Sequence, residues 1–135
     1  MTRRWFPAAV ALAAAALVGC SDKRATAPVH GTVTYKGKPV PTGMVLFVPK
    51  EPGPTATGRI GPDGQYRLST YGSDDGAVLG EHSVMIAALE DLGDKPPDAM
   101  NLPKSLVPEK YGDYRKSGLS AEVKPDDNTV DLPLK

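Results

Sequence analysis

Cysteine is nearly absent: the 135 residues contain one, Cys20. No disulfide can form within the chain, so a folded domain rests on its apolar core even in an oxidising compartment. Charge of one sign is not in excess either, with 16 basic and 16 acidic residues. Removal of residues 1–19 takes away Arg3 and Arg4 and leaves 14 basic against 16 acidic residues. A nucleic-acid partner calls for a basic patch, so no nucleic-acid partner is expected. No apolar run is long enough to span a bilayer, since residues 8–18 fall short of the roughly 20 residues of a transmembrane helix. Histidine is limited to His30 and His82, and the one tryptophan, Trp5, lies in the first few residues.

What the N-terminus does contain is ordered in three parts. Arg3 and Arg4 come first, an apolar run over residues 8–18 follows, and the small Gly19 stands directly before Cys20. That is the layout of a secretory signal with its cleavage site between Gly19 and Cys20. Leu17-Val18-Gly19-Cys20 resembles the lipobox of bacterial lipoproteins. The resemblance implies removal of residues 1–19, acylation of the Cys20 thiol by chains such as palmitate, and a membrane partner reached through that lipid. Thr2-Arg3-Arg4-Trp5-Phe6 is also similar to a twin-arginine export motif. The expected location is a bacterial cell envelope, with the domain facing the periplasm or the exterior.

Residues 20–28 are polar and lack periodicity, as in a flexible tether. From Val29 onward the chain reads as one domain, residues 29–135, because the 116 residues left after cleavage suit a single core. Val29, Gly31, Val33 and Tyr35 alternate with polar neighbours, the period of a half-buried strand. Lys36-Gly37-Lys38-Pro39 turns the chain, and residues 44–48 form a continuous apolar run that predicts a central strand. A weaker strand is expected over residues 55–60. After Gly61-Pro62-Asp63-Gly64, residues 65–71 alternate with Tyr66 and Leu68 inward and Arg67 outward. Residues 79–89 predict a long strand with Val84, Ile86 and Ala88 on one face. Residues 90–118 carry four prolines and predict an irregular loop. Residues 119–123 and 130–134 alternate again. About seven short strands without an amphipathic helix predict an all-β antiparallel sandwich of Greek-key type.

Three segments carry a further resemblance. They are His30-Gly31-Thr32-Val33-Thr34-Tyr35-Lys36-Gly37-Lys38-Pro39-Val40, Val45-Leu46-Phe47-Val48-Pro49, and Asp63-Gly64-Gln65-Tyr66-Arg67-Leu68. Together they resemble the carboxypeptidase regulatory-like, or transthyretin-like, β-sandwich family, over roughly residues 28–135. Pro108-Glu109-Lys110-Tyr111 and Ser117-Gly118-Leu119 are similar to small bacterial lipoproteins carrying that domain. The resemblance implies a non-catalytic module that lends stability or mediates binding.

No reaction is written in the residues. A zinc carboxypeptidase motif is absent, since Val33 and Met85 stand where glutamate would follow His30 and His82. The C-terminus, Asp131-Leu132-Pro133-Leu134-Lys135, lacks the Tyr-Arg-Gly-Ser ending of transthyretin-like hydrolases. No Gly-x-Ser-x-Gly elbow occurs. No catalytic residue, metal site or cofactor is therefore expected beyond the lipid on Cys20. His82 is expected at a sheet edge or as a satisfied buried imidazole, and Asp63, Asp74, Asp75, Asp126 and Asp127 as turn formers rather than calcium ligands. Tyr111, Tyr114, Arg115 and Lys116 form the one aromatic and basic cluster on a loop. They are candidate partner-binding residues for an envelope protein or a glycan, with Tyr111 equally suited to plug the end of the sandwich.

Overall fold

In the computed structural model, residues 23–135 are described, and pairing begins at Thr26–Ala27 (β1), inside the segment read as tether. β1 runs antiparallel to Ala77–Val78 (β7), and Ala27 is buried, so apolar contact draws the end of the tether into the domain. The remaining strands are Val29–Tyr35 (β2), Lys38–Pro39 (β3), Met44–Pro49 (β4), Ala56–Arg59 (β5), Gln65–Arg67 (β6) and Gly80–Ala87 (β8). Leu119–Val123 (β9), Asn128–Thr129 (β10) and Leu132–Leu134 (β11) complete them. The fold is an all-β sandwich. The seven strands that periodicity marks all form, and the four additional ones, β1, β3, β7 and β10, are two residues long each.

One layer is the antiparallel sheet β5-β4-β8-β9. The other is built around β2, with β6 and β3 antiparallel on one side and β10 and β11 on the other. Beside these antiparallel pairs, β10 and β11 run parallel to β2, with Asn128 opposite Val29 and Leu132 opposite Val33. The chain reaches β10 from β9 in the other layer, and this crossover lets the last strands enter in the same direction as β2.

Alternation places Val33, Leu132, Leu134, Tyr66 and Leu68 on the inner face of one layer and Val45, Phe47, Val84, Ile86 and Val123 on that of the other. Phe47 sits at the centre, 6.5 Å from the Tyr66 ring and 5.8 Å from the His82 ring between centroids. β4 lies between two neighbours as its apolar run predicts. Its outward residues Leu46 and Val48 are half-buried and Met44 is exposed, so the run is buried fully on one side only.

Residues 90–118 hold no regular strand, as their prolines dictate, but they are stitched to the sandwich. The Leu106 N–H donates to the Ala88 carbonyl at 2.9 Å and the Glu90 N–H to the Lys104 carbonyl at 2.8 Å. A single 3-10 turn at Glu109–Gly112 then drives Tyr111 into the core beside Val107. This segment leaves from the Ala87 end of β8, whereas β1 packs near its Gly80 end, where the Leu79 N–H donates to the Ala25 carbonyl. An eight-residue strand is about 25 Å long, so the tether and the start of the long loop lie at opposite ends of β8, and the loop then returns to its middle, where the Ser117 hydroxyl donates to the Val84 carbonyl.

Candidate functional site

Side chains that point away from the core on β2, β5 and β6 line an open groove of about 780 Å³ on the side wall. Its construction begins with two glycines. A Cβ on Gly31 would overlap the Val130 carbonyl, so only glycine lets the irregular link between β10 and β11 close over β2. The Tyr66 hydroxyl then donates to that same carbonyl at 2.5 Å. Burial, and secondarily the Asp131 charge, push the Tyr66 hydroxyl well above the usual tyrosine range, so it stays a neutral donor. A Cβ on Gly58 would fall 2.5 Å from the Arg67 carbonyl oxygen, and its absence lets β5 lie against β6.

The strand registers fix which outward side chains meet. Thr57 bridges Ser69 in antiparallel register, with both N–H···O=C bonds formed at 3.0 and 2.8 Å. Two residues beyond this bridge β5 carries Arg59, and two residues before it β6 carries Arg67. Arg67 in turn pairs with His30 on β2, and His30 with Thr129 on β10. Arg59, Arg67 and His30 thus form a loose row along the groove, Arg67 and His30 paired within one sheet and Arg59 on the edge strand of the other. The row beside it holds Gln65, Thr32 and Asp131, whose Oδ1 accepts the Thr32 N–H at 3.0 Å. On the other flank Asp74 is positioned by its N–H, which donates to Ser69 Oγ at 2.8 Å.

His30 Nε2 lies 3.1 Å from Asp127 Oδ2 and 3.5 Å from Thr129 Oγ1. The carboxylate and the hydroxyl face the same ring nitrogen. A relay needs them on opposite nitrogens, so this trio does not activate Thr129 as a nucleophile. Among the described residues no three of His, Cys, Asp and Glu stand close enough to hold a metal ion.

The candidate residues read from sequence fall in several places. Gly19 and Cys20 lie outside the described residues. Tyr111 is 5% exposed, and its hydroxyl accepts the Lys135 N–H at 3.1 Å, so it plugs the sandwich and is removed from the partner-binding set. Tyr114 stays exposed, with the Arg115 Nε–H donating to its hydroxyl at 3.2 Å and the guanidinium stacked 5.4 Å from the ring centroid. Lys116 is exposed next to them. The structure therefore keeps three of the four on one exposed turn and turns the fourth inward.

His82 is fully buried rather than at an edge. Its Nε2 bonds the Val78 carbonyl at 2.7 Å and its Nδ1 has no partner among the described residues, where the imidazole is only half satisfied. Asp75 does build a turn. Slight desolvation pushes its carboxyl up, but the N–H groups of Thr70, Tyr71 and Gly72, at 2.7 to 3.0 Å, together hold it below the usual carboxylate range. Asp63 serves its turn in the same way, accepting the Gln65 N–H at 3.2 Å.

The basic groove row escapes sequence reasoning because Arg59 and His30 are far apart in the chain and meet only through two strand registers. The outward position of Arg67 is the one local signal for it.

Fold and site together define an all-β sandwich with a polar groove on its side wall. No protein-family model matches the chain, and no curated protein matches it. Among solved structures, a crystal structure of a DUF3823 family protein from Parabacteroides merdae is similar, with 15% identity and a TM-score of 0.44. The likeness covers 84% of this chain, which spans about half of the other, 47% of its length.

Proposed function

We propose that the protein is a non-catalytic lipoprotein of a bacterial cell envelope, held to a membrane by lipid on Cys20, whose sandwich binds or scaffolds a partner. The observation that carries this reading is the Leu17-Val18-Gly19-Cys20 sequence set only six residues before the first paired strand at Thr26. Fully extended, six residues reach about 20 Å, so an anchor at Cys20 keeps the domain close to the bilayer surface. With β1 at the membrane-proximal end, the part of the long loop that leaves the Ala87 end of β8 faces outward. Two or more acyl chains on one cysteine give a stable anchor, at about 0.8 kcal/mol per buried CH₂. No helix among the described residues is long and apolar enough to cross a membrane.

The test is replacement of Cys20 by Ser with fractionation of cells grown on labelled palmitate. The wild type is expected in membranes and labelled, and Cys20→Ser unlabelled. Label retained by the Ser variant overturns the anchor. The groove also favours a second reading, a carbohydrate-binding module, since hydroxyl, amide and carboxylate groups line it.

A further inference from the structure

The geometry points to the side-wall groove as a binding site for an acidic saccharide, a polyol chain bearing carboxylate or sulfate groups. This deepens the binding half of the proposed function and does not depend on the anchor. The first observation is the row Arg59, Arg67 and His30, in which Arg67 and His30 are paired within one sheet and Arg59 comes from β5 at the edge of the other, all three lining the groove. Like charges directly opposite on neighbouring strands destabilise a sheet. Native sequences relieve such pairs with interleaved carboxylates, as Lys50 does in the opposite sense by pairing Glu81 at 3.2 Å where Glu81 faces Glu122 across β8 and β9. Asp127 lies 3.1 Å from His30, but among the described residues neither the Arg59 nor the Arg67 guanidinium has an ion-pair partner. A local arrangement that costs stability without a structural return marks a functional site.

The second observation is the size and lining of the groove. Neighbouring strands are about 4.8 Å apart, so a row of three side chains extends over about 10 Å, the reach of a short oligosaccharide rather than a single small anion. The volume of about 780 Å³ lies within the range of small-ligand sites. Thr32, Thr57, Thr129 and Gln65 supply donors and acceptors for hydroxyls beside the row. Asp131 keeps one carboxylate oxygen free after accepting the Thr32 N–H. Met44 and Pro62 add apolar surface on which the C–H face of a sugar ring can rest. Guanidinium groups match carboxylate and sulfate in planar, two-point hydrogen bonding, whereas a neutral sugar would leave both forks unused.

The experiment uses the full chain purified in a polyoxyethylene detergent, which carries no sugar headgroup, and isothermal titration with four probes. They are trigalacturonate, a sulfated disaccharide, neutral maltotriose and inorganic sulfate. Binding of either acidic saccharide, weakened at least about tenfold in Arg59→Gln and in Arg67→Gln and falling with added salt, is the expected result. Which acidic probe binds more tightly identifies the anionic group. Lys50→Gln, away from the groove, is expected to bind as the wild type does. Both Arg variants are expected to unfold at urea concentrations no lower than the wild type, because they relieve the charge row. Equal binding of maltotriose, equal binding of inorganic sulfate, indifference to both Arg substitutions, or silence with all four probes overturns the inference. None of these results bears on palmitate labelling of Cys20, so the failure of this inference and that of the anchor are read separately.

Discussion

Substituting Tyr66 by Phe isolates one bond that holds the two halves of the β2 layer together. Tyr66 is 2% exposed, and its hydroxyl donates to the Val130 carbonyl at 2.5 Å, at the point where the chain passes from β10 to β11 over Gly31. Removing the hydroxyl leaves that carbonyl without its partner while the ring still fills the core. An orphaned buried acceptor costs about 1 to 3 kcal/mol, and Val130 is only half-buried, so the lower half of that range is expected. With a urea slope of about 1 to 2 kcal/mol/M for a domain of this size, the midpoint falls by roughly 0.5 to 1 M at unchanged slope. Gly31→Ala acts on the same joint from the other side. Its methyl group cannot be accommodated without displacing the Val130 carbonyl, so the loss exceeds that of Tyr66→Phe. The folded-state pKa of Tyr66 is raised, so its contribution is complete below the ordinary tyrosine value of about 10 and is lost as pH climbs above it. Wild type should therefore lose stability above about pH 10 more steeply than Tyr66→Phe. Chemical denaturation followed by circular dichroism at pH 7 and pH 10.5 measures both effects. An unchanged midpoint for Tyr66→Phe, or a milder effect for Gly31→Ala than for Tyr66→Phe, refutes this reading of the joint.

Other perturbations separate structural side chains from exposed ones. Tyr111→Ala empties the plug at the end of the sandwich and is expected to cost about 3 to 5 kcal/mol, while Tyr114→Ala stays within about 0.5 kcal/mol; thermal melts of the pair that coincide would contradict the inward placement of Tyr111. Asp75→Ala removes the acceptor of three backbone N–H groups and is expected to cost about 1 kcal/mol, comparable to the loss of a side-chain cap at a helix start. Because the Asp75 carboxyl is held low in the folded state, its stabilisation is present above about pH 4 and fades as pH falls further, so wild type and Asp75→Ala should converge in acid. A gap that widens on acidification contradicts that assignment.

The parts of this fold that could be read from the chain are those in which one face of a strand is buried. Val29, Gly31 and Val33, or Val84, Ile86 and Ala88, announce themselves because a period of two is the signature of half-burial. Two-residue strands such as β3 and β10 carry no period, and their pairing is decided by neighbours remote in sequence. Periodicity also reports which way a side chain faces but not which strand it lies beside, so the parallel return of Leu132–Leu134 along β2 was invisible. Gly31 reads as an ordinary inward position in the alternation, yet its role comes from a carbonyl 99 residues later in the chain. The charge row has the same origin: Arg67 reads as outward, but its alignment with Arg59 and His30 needs two registers at once. Tyr111 and Tyr114 look alike in sequence, and only the 3-10 turn between Pro108 and Asp113 separates them, one into the core and one to solvent.

The most direct test of the central claim is the mass of the N-terminal peptide of the protein extracted from membranes. A peptide beginning at Cys20 and carrying a thioether-linked diacylglyceryl group, with or without a further acyl chain on its amino group, is the predicted result. A free Cys20 thiol, or a mature chain that begins elsewhere, would contradict the lipid anchor.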